Sequence, residues 1–225
     1  MSSLLLVGAG PGIGASIARH CVQDGESVGL IARTRVSTDP ITKELIGRGC
    51  EVAVQNADAA DESQLRKALD AIVDSVGVPR LVVYNVGLIR ADRPGELTYA
   101  ELQHTWSVNV LGALATATQL SPHMAAAGGG TIVVTGGMPT PVPSLTSLSL
   151  GKAGVRALTA LLAEELKPAR IHVATVTVGG AVAPGSAYDP DEIAAVYRRL
   201  HNQPPEAWEH EITYLGAPSG AGNTA

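Results

Sequence analysis

Leu4-Leu5-Leu6-Val7-Gly8-Ala9-Gly10-Pro11-Gly12-Ile13-Gly14 is the stretch that decides the fold. An apolar run of strand length, Ser3–Val7, leads straight into closely spaced glycines, and a helix is expected from about Ala15. Gly8, Gly12 and Gly14 permit a tight turn and let the backbone approach an anion closely. The free N–H groups and dipole at the helix start then favour a pyrophosphate. A glycine-rich run alone is a common turn. Set between a first strand and a first helix, it predicts a dinucleotide site built on Gly8, Gly10, Pro11, Gly12, Ile13 and Gly14.

Outward from that turn, apolar runs alternate with helical segments. Strands are expected at Ser27–Ala32, Glu51–Gln55, Leu81–Tyr84, Thr131–Thr135 and Ile171–Val178. Such alternation predicts one doubly wound, Rossmann-type α/β domain, a parallel sheet with helices on both faces. Composition agrees. The chain of 225 residues is 45% hydrophobic yet lacks phenylalanine, so its core must be Val, Leu, Ile and Ala, as in strands buried on both faces. Helix starts are expected at Asp39-Pro40 and Asp189-Pro190, each an N-cap followed by proline. Asp61-xx-Gln64 and Thr98-xx-Glu101 read as capping boxes. Gly136–Ser149, rich in Pro, Thr and Ser, is expected to be a loop, and Gly216–Ala225 a loosely held tail of the single domain 1–225.

The second strand ends at Leu30-Ile31-Ala32-Arg33, with Arg35 close by. An acidic residue at Ala32 would bind the adenosine ribose hydroxyls and repel a 2′-phosphate. Ala32 does neither, and Arg33 can clamp a phosphate bidentately, which favours NADP(H) over NAD(H).

Five segments in order then resemble the short-chain dehydrogenase/reductase family over nearly the whole chain. They are the glycine motif Gly8-xxx-Gly12-Ile13-Gly14, Asn56-Ala57-Asp58-Ala59, Tyr84-Asn85-Val86-Gly87, Ser107-Val108-Asn109 and Gly151-Lys152-Ala153. The resemblance implies that Asp58 and Ala59 meet adenine and that Asn85, Val86, Gly87, Val178 and Gly179 line the cofactor. It also implies that Asn109 holds a proton-relay water and Lys152 the nicotinamide ribose. Homodimers or homotetramers, paired through Glu101–Met124 and Leu150–Lys167, are a further implication. The resemblance fails at the acid. The family's tyrosine, four residues before the lysine, is Leu148 here, and the enoyl-reductase alternative, seven before, is Leu145. The expected serine after the fifth strand is Gly137, and no tyrosine lies between Tyr99 and Tyr188.

Tyr188, after the sixth strand, is therefore the candidate replacement acid, beside Asn109 and Lys152. Ser147 and Ser149 flank the vacated position, but an unassisted aliphatic hydroxyl is too weak an acid. Two functions follow: an NADP(H)-dependent oxidoreductase of a small molecule with a non-standard or absent proton donor, or a catalytically silent nucleotide sensor or interaction module. Other classes are disfavoured. The net charge of −5 comes without a basic patch, so nucleic acid is not an expected partner. The apolar N-terminal run is too short for a signal peptide or spanning helix, so no membrane is expected. His201, His210, Glu206 and Glu209 lack tight metal-ligand spacing. Trp208 and Tyr214 are expected to pack the C-terminal segment onto the domain or a second subunit. Cys21 and Cys50 form no CxxC pair, which fits a reducing compartment, the cytoplasm.

Overall fold

The computed structural model describes residues 2–216; the expected tail beyond Gly216 lies outside them. Seven strands form one sheet: β1 (Ser2–Val7), β2 (Ser27–Ala32), β3 (Glu51–Asn56), β4 (Pro79–Tyr84), β5 (Gly130–Thr135), β6 (Ile171–Val178) and β7 (Glu211–Tyr214). Their order is β3-β2-β1-β4-β5-β6-β7 and every pairing is parallel. Helices α1 (Ile13–Cys21), α2 (Arg35–Gly47), α3 (Glu62–Val76), α4 (Tyr99–Trp106), α5 (Gly112–Ala126), α6 (Thr146–Leu166) and α7 (Pro190–His201) cover it.

The opening strand shows why the sheet is sandwiched. Leu4 and Leu6 pack with α1, α2 and α7 through Ile17, Leu45 and Tyr197, while Leu5 and Val7 pack with α3, α5 and α6 through Leu69, Leu120 and Val155. Alternate residues of one strand thus feed two cores. The chain reverses its winding between β1 and β4, and the ends of those strands open the crevice where ligands bind in such sheets.

Several details differ from the sequence-based expectations. Asp39-Pro40 does not begin a helix: α2 starts at Arg35 with Thr34 as N-cap, and Pro40 lies inside it. The missing N–H leaves a carbonyl near exposed Val36, where water can take it. The loop after β5 stops short of Ser149, because α6 begins at Thr146. Its cap comes from far away: the Asp92 carboxylate accepts from the Ser147 N–H at 3.0 Å. Finally β7 was not foreseen, being a four-residue edge strand with alternate residues exposed. The Asp189 cap and the full Thr98–Glu101 capping box are present as expected. Asp61 caps through the Gln64 N–H, but Gln64 Oε1 turns to the Asp58 N–H instead of closing the box.

Trp208 packs onto the domain itself, stacked on the ring of His172 in β6 at 4.9 Å. Among the described residues no metal-binding cluster forms, and no helix is long and apolar enough to cross a membrane.

Candidate active site

The glycine turn is built as its spacing requires. Gly8 has φ +88°, and a Cβ there would sit 2.6 Å from the Asn85 carbonyl oxygen. Gly12, the N-cap of α1, has φ +95°, and a Cβ at Gly10 or Gly12 would meet nothing within 4 Å. One side of the turn is therefore jammed against β4 and the other is open. On the open side the Ile13 and Gly14 N–H groups have no partner among the described residues, the arrangement that receives an anion. Gly14 packs under the turn, where a Cβ would be 3.0 Å from the Gly8 carbonyl oxygen.

A cleft of about 540 Å³ runs over this turn. It brings together Gly8, Gly10 and Pro11 with Ala32 and Arg33 from the end of β2, and Asp58 and Ala59 from the end of β3. Asn85, Val86 and Gly87 complete its floor. Arg33 is exposed and enters no ion pair among the described residues. Thr34, Ser37 and His104 also line the cleft. No motif named them, because their place depends on where α2 and α4 start.

A second cavity of about 270 Å³ continues from the first and shares Asn85, Val86 and Gly87 with it. Ile13, Val178, Lys152 and Leu148 line it as well. Gly179 does not line it. Its N–H donates instead to the Tyr214 carbonyl, tying β6 to β7.

Lys152 is buried on α6, and its Nζ donates to the Thr135 carbonyl at 2.7 Å. Burial pushes its pKa down to about 8, since charge is disfavoured away from water. Fully buried Asn109 sits on a π-helical turn, Ser107–Leu111. Such turns are rare and occur often at functional sites. Asn109 Oδ1 accepts from the Leu88 N–H at 3.0 Å, while Nδ2 has no partner. A Cβ at Gly151 would lie 2.9 Å from the Asn109 Cβ, so glycine lets α6 bring Lys152 against this turn. A Cβ at Gly87 would be 3.6 Å from Lys152 Nζ and 3.8 Å from Asn109 Oδ1. The two side chains therefore meet beneath one residue of the cavity floor.

The floor is held from the opposite face. Thr135 Oγ1 donates to Asn85 Oδ1 at 2.9 Å and contacts the Tyr197 hydroxyl at 2.8 Å, while Asn85 Nδ2 donates to the Gly8 carbonyl. Tyr197 was legible only as part of an apolar helix stripe. Its hydroxyl partner lies 62 positions away, beyond any periodic signal.

Leu148 lines the second cavity with a side chain that cannot donate a proton, and Gly137 lines it too. Ser147 Oγ donates to Asp92 at 2.7 Å, and Ser149 Oγ accepts from the Val142 N–H at 3.0 Å. Tyr188 is not among the lining residues. Its hydroxyl donates to the Leu215 carbonyl at 3.1 Å, and its ring meets Tyr214 edge-on at 6.1 Å. In this conformation it braces the β6–α7 connection against β7.

Residues 3–191 match the family model for short chain dehydrogenases. The chain belongs to the short-chain dehydrogenase family. It is thereby an oxidoreductase by family, one whose members bind nicotinamide cofactors. Among curated proteins it is 29% identical to an uncharacterized oxidoreductase of Methylorubrum extorquens, over 81% of this chain and 74% of that one. It is 26% identical to an NADPH-dependent aldehyde reductase-like chloroplastic protein of Arabidopsis thaliana, over 78% and 70%. Among solved structures, a metagenomic short-chain oxidoreductase in complex with NADP superposes with a TM-score of 0.84 at 25% identity, covering 94% of this chain and 95% of that one.

Proposed function

We propose that this short-chain dehydrogenase is an NADP(H)-dependent reductase of a small carbonyl or imine compound that works without the family's tyrosine. The observation that carries the reading is the shape of the glycine turn: it closes against Asn85 on one side and leaves Gly10, Gly12 and two N–H groups open on the other. That cradle fits a pyrophosphate. Arg33 and Arg35, exposed at the end of β2 where Ala32 offers no carboxylate, fit a 2′-phosphate. The Arabidopsis relative's name and the NADP complex agree with this preference.

A bound nicotinamide cofactor supplies the hydride, and the protein supplies position and electrostatics. Asp58 and Ala59 flank the adenine end, and Val86, Gly87 and Val178 the nicotinamide end. Lys152, beneath Gly87 in the second cavity, would hold the nicotinamide ribose, and Asn109 beside it would hold a proton-relay water. Exposed Leu102, Trp106, Leu111 and Leu114 on α4 to α5, with Leu150 and Leu161 on α6, support pairing into a homodimer or homotetramer.

Leu148 and Gly137 favour a second reading, a nucleotide sensor without turnover. Titration with NADPH and NADH, then NADPH oxidation against aldehydes, ketones, enones and imines, separates the two. Tighter NADPH binding with turnover is expected. Tight binding without turnover on any compound means a sensor, and no binding of either nucleotide ends both readings.

A further inference from the structure

The second cavity contains one charged side chain. Its lining is otherwise aliphatic or backbone, apart from Thr135 and Asn85, which hydrogen-bond to each other. Each alternative hydroxyl is engaged elsewhere: Ser147 by Asp92, Ser149 by Val142, and Tyr188 by Leu215 outside the cavity. Lys152 is different. Of its three ammonium hydrogens the structure commits one, to the Thr135 carbonyl, and no carboxylate pairs with it among the described residues. Lys152 lines the cavity, and Gly87 beside it carries no side chain, where a Cβ would stand 3.6 Å from Nζ. Leu148, one helical turn earlier, adds no competing donor.

We propose that Lys152 is itself the proton donor of the reaction, acting on a carbonyl substrate seated between Gly87 and Leu148. The inference rests on the reductase reading above. A bound reduced nicotinamide would supply a hydride to the carbonyl carbon, and the C–O π pair would move to oxygen. An N–H bond of Lys152 breaks as the new O–H bond forms, leaving a neutral amine and an alcohol, and the amine regains its proton from water. In sum, one carbonyl, one reduced nicotinamide and one proton give one alcohol and one oxidised nicotinamide. A buried ammonium suits this task. With its pKa brought down to about 8, it is mostly protonated at neutral pH yet releases its proton readily, which is where a general acid works best.

The test follows NADPH oxidation with 4-nitrobenzaldehyde as probe, from pH 6.5 to 9.5, for the wild-type protein and Lys152→Arg. Arginine keeps the charge but does not release a proton. For the wild type, kcat/KM is expected to fall about tenfold per pH unit above about 8. Lys152→Arg is expected to weaken NADPH binding through the lost ribose contact and, at saturating NADPH, to lose about 10²-fold or more in kcat. A flat wild-type profile, or an arginine variant within about threefold of wild type, overturns the inference. If the arginine variant does not fold, the wild-type profile alone decides. No oxidation of NADPH by the wild type with the aldehyde also overturns it, and NADPH titration of the same sample shows whether the cofactor reading has failed with it.

Discussion

The Asp92 carboxylate accepts two hydrogen bonds from Ser147 across 55 positions of sequence, the backbone N–H at 3.0 Å and the hydroxyl at 2.7 Å. Asp92 thereby caps α6 from the segment after β4. Backbone bonds from the Asp92 N–H to the Ser144 carbonyl and from the Thr146 N–H to the Asp92 carbonyl complete the clamp. It fixes the helix turn that carries Leu148, and hence one wall of the second cavity.

Asp92→Ala leaves a buried N–H and hydroxyl without acceptors, so it is expected to cost about 2–3 kcal/mol. Asp92→Asn, which keeps one acceptor oxygen, should cost about half as much. Urea unfolding of the two variants checks this. A midpoint for Asp92→Ala equal to wild type would show that water replaces the carboxylate at no cost.

Arg33 is the residue whose removal should change cofactor choice. The Arg33→Ala protein is expected to lose about tenfold in NADPH affinity while NADH affinity holds, because one charge-assisted contact to a 2′-phosphate disappears. Ala32→Asp should act in the same direction by repulsion. Fluorescence titration with both nucleotides reads the ratio directly. Equal losses for NADPH and NADH would place Arg33 away from the 2′-phosphate.

Much of this site could be read before the fold was known, and the boundary is instructive. The turn at Gly8–Gly14 announces itself because a backbone at positive φ wedged against Asn85 excludes side chains, a constraint that one short stretch of sequence carries. Lys152 and Asn109 were found through motif resemblance, and a π-helical turn then brings one of them against the other. Asp92 was invisible. A cap supplied 55 positions away leaves no local signal, so sequence alone places the start of α6 too late and Leu148 in a loop. The same limit hid β7, whose pairing with β6 is supplemented by the Thr177 hydroxyl donating to Glu211.

Histidines set the acid limit of stability. Burial lowers the pKa of His172, although both ring nitrogens face carbonyl oxygens, and burial with Arg80 nearby lowers that of His201. Both rings thus take up a proton less readily in the fold than in the unfolded chain. Below the ordinary value of about 6.5 the unfolded chain takes up protons that the folded chain refuses, so stability rises with pH in that window and is complete above it. The carboxylates Asp61, Glu101 and Asp191, whose pKa values are lowered by hydrogen bonds, add the same trend at more acid pH. The urea midpoint should be lower at pH 5.5 than at pH 7.5, and His201→Asn should narrow the gap. A midpoint that rises on acidification would mean that the two carbonyls hold His172 as a cation.

Leu148→Tyr tests whether the cavity still has the geometry of a carbonyl reductase. Leu148 lines the same cavity as Lys152 and stands four residues earlier on one helix, so the two side chains share a face. A phenol introduced there would lie beside an ammonium whose charge favours the phenolate, making the tyrosine a better acid than it is in water. The cavity of about 270 Å³ has space for the ring. NADPH reduction of 4-nitrobenzaldehyde at pH 7 is expected to rise by about tenfold or more, with NADPH affinity within about threefold of wild type. The gain should persist above pH 8, where the wild-type rate falls with the charge on Lys152. A variant that folds and binds NADPH but reduces the aldehyde no faster would mean that the substrate oxygen does not lie over Leu148. The search for the reacting atoms would then move from α6 to the segment between β6 and α7, where Val182 also lines the cavity.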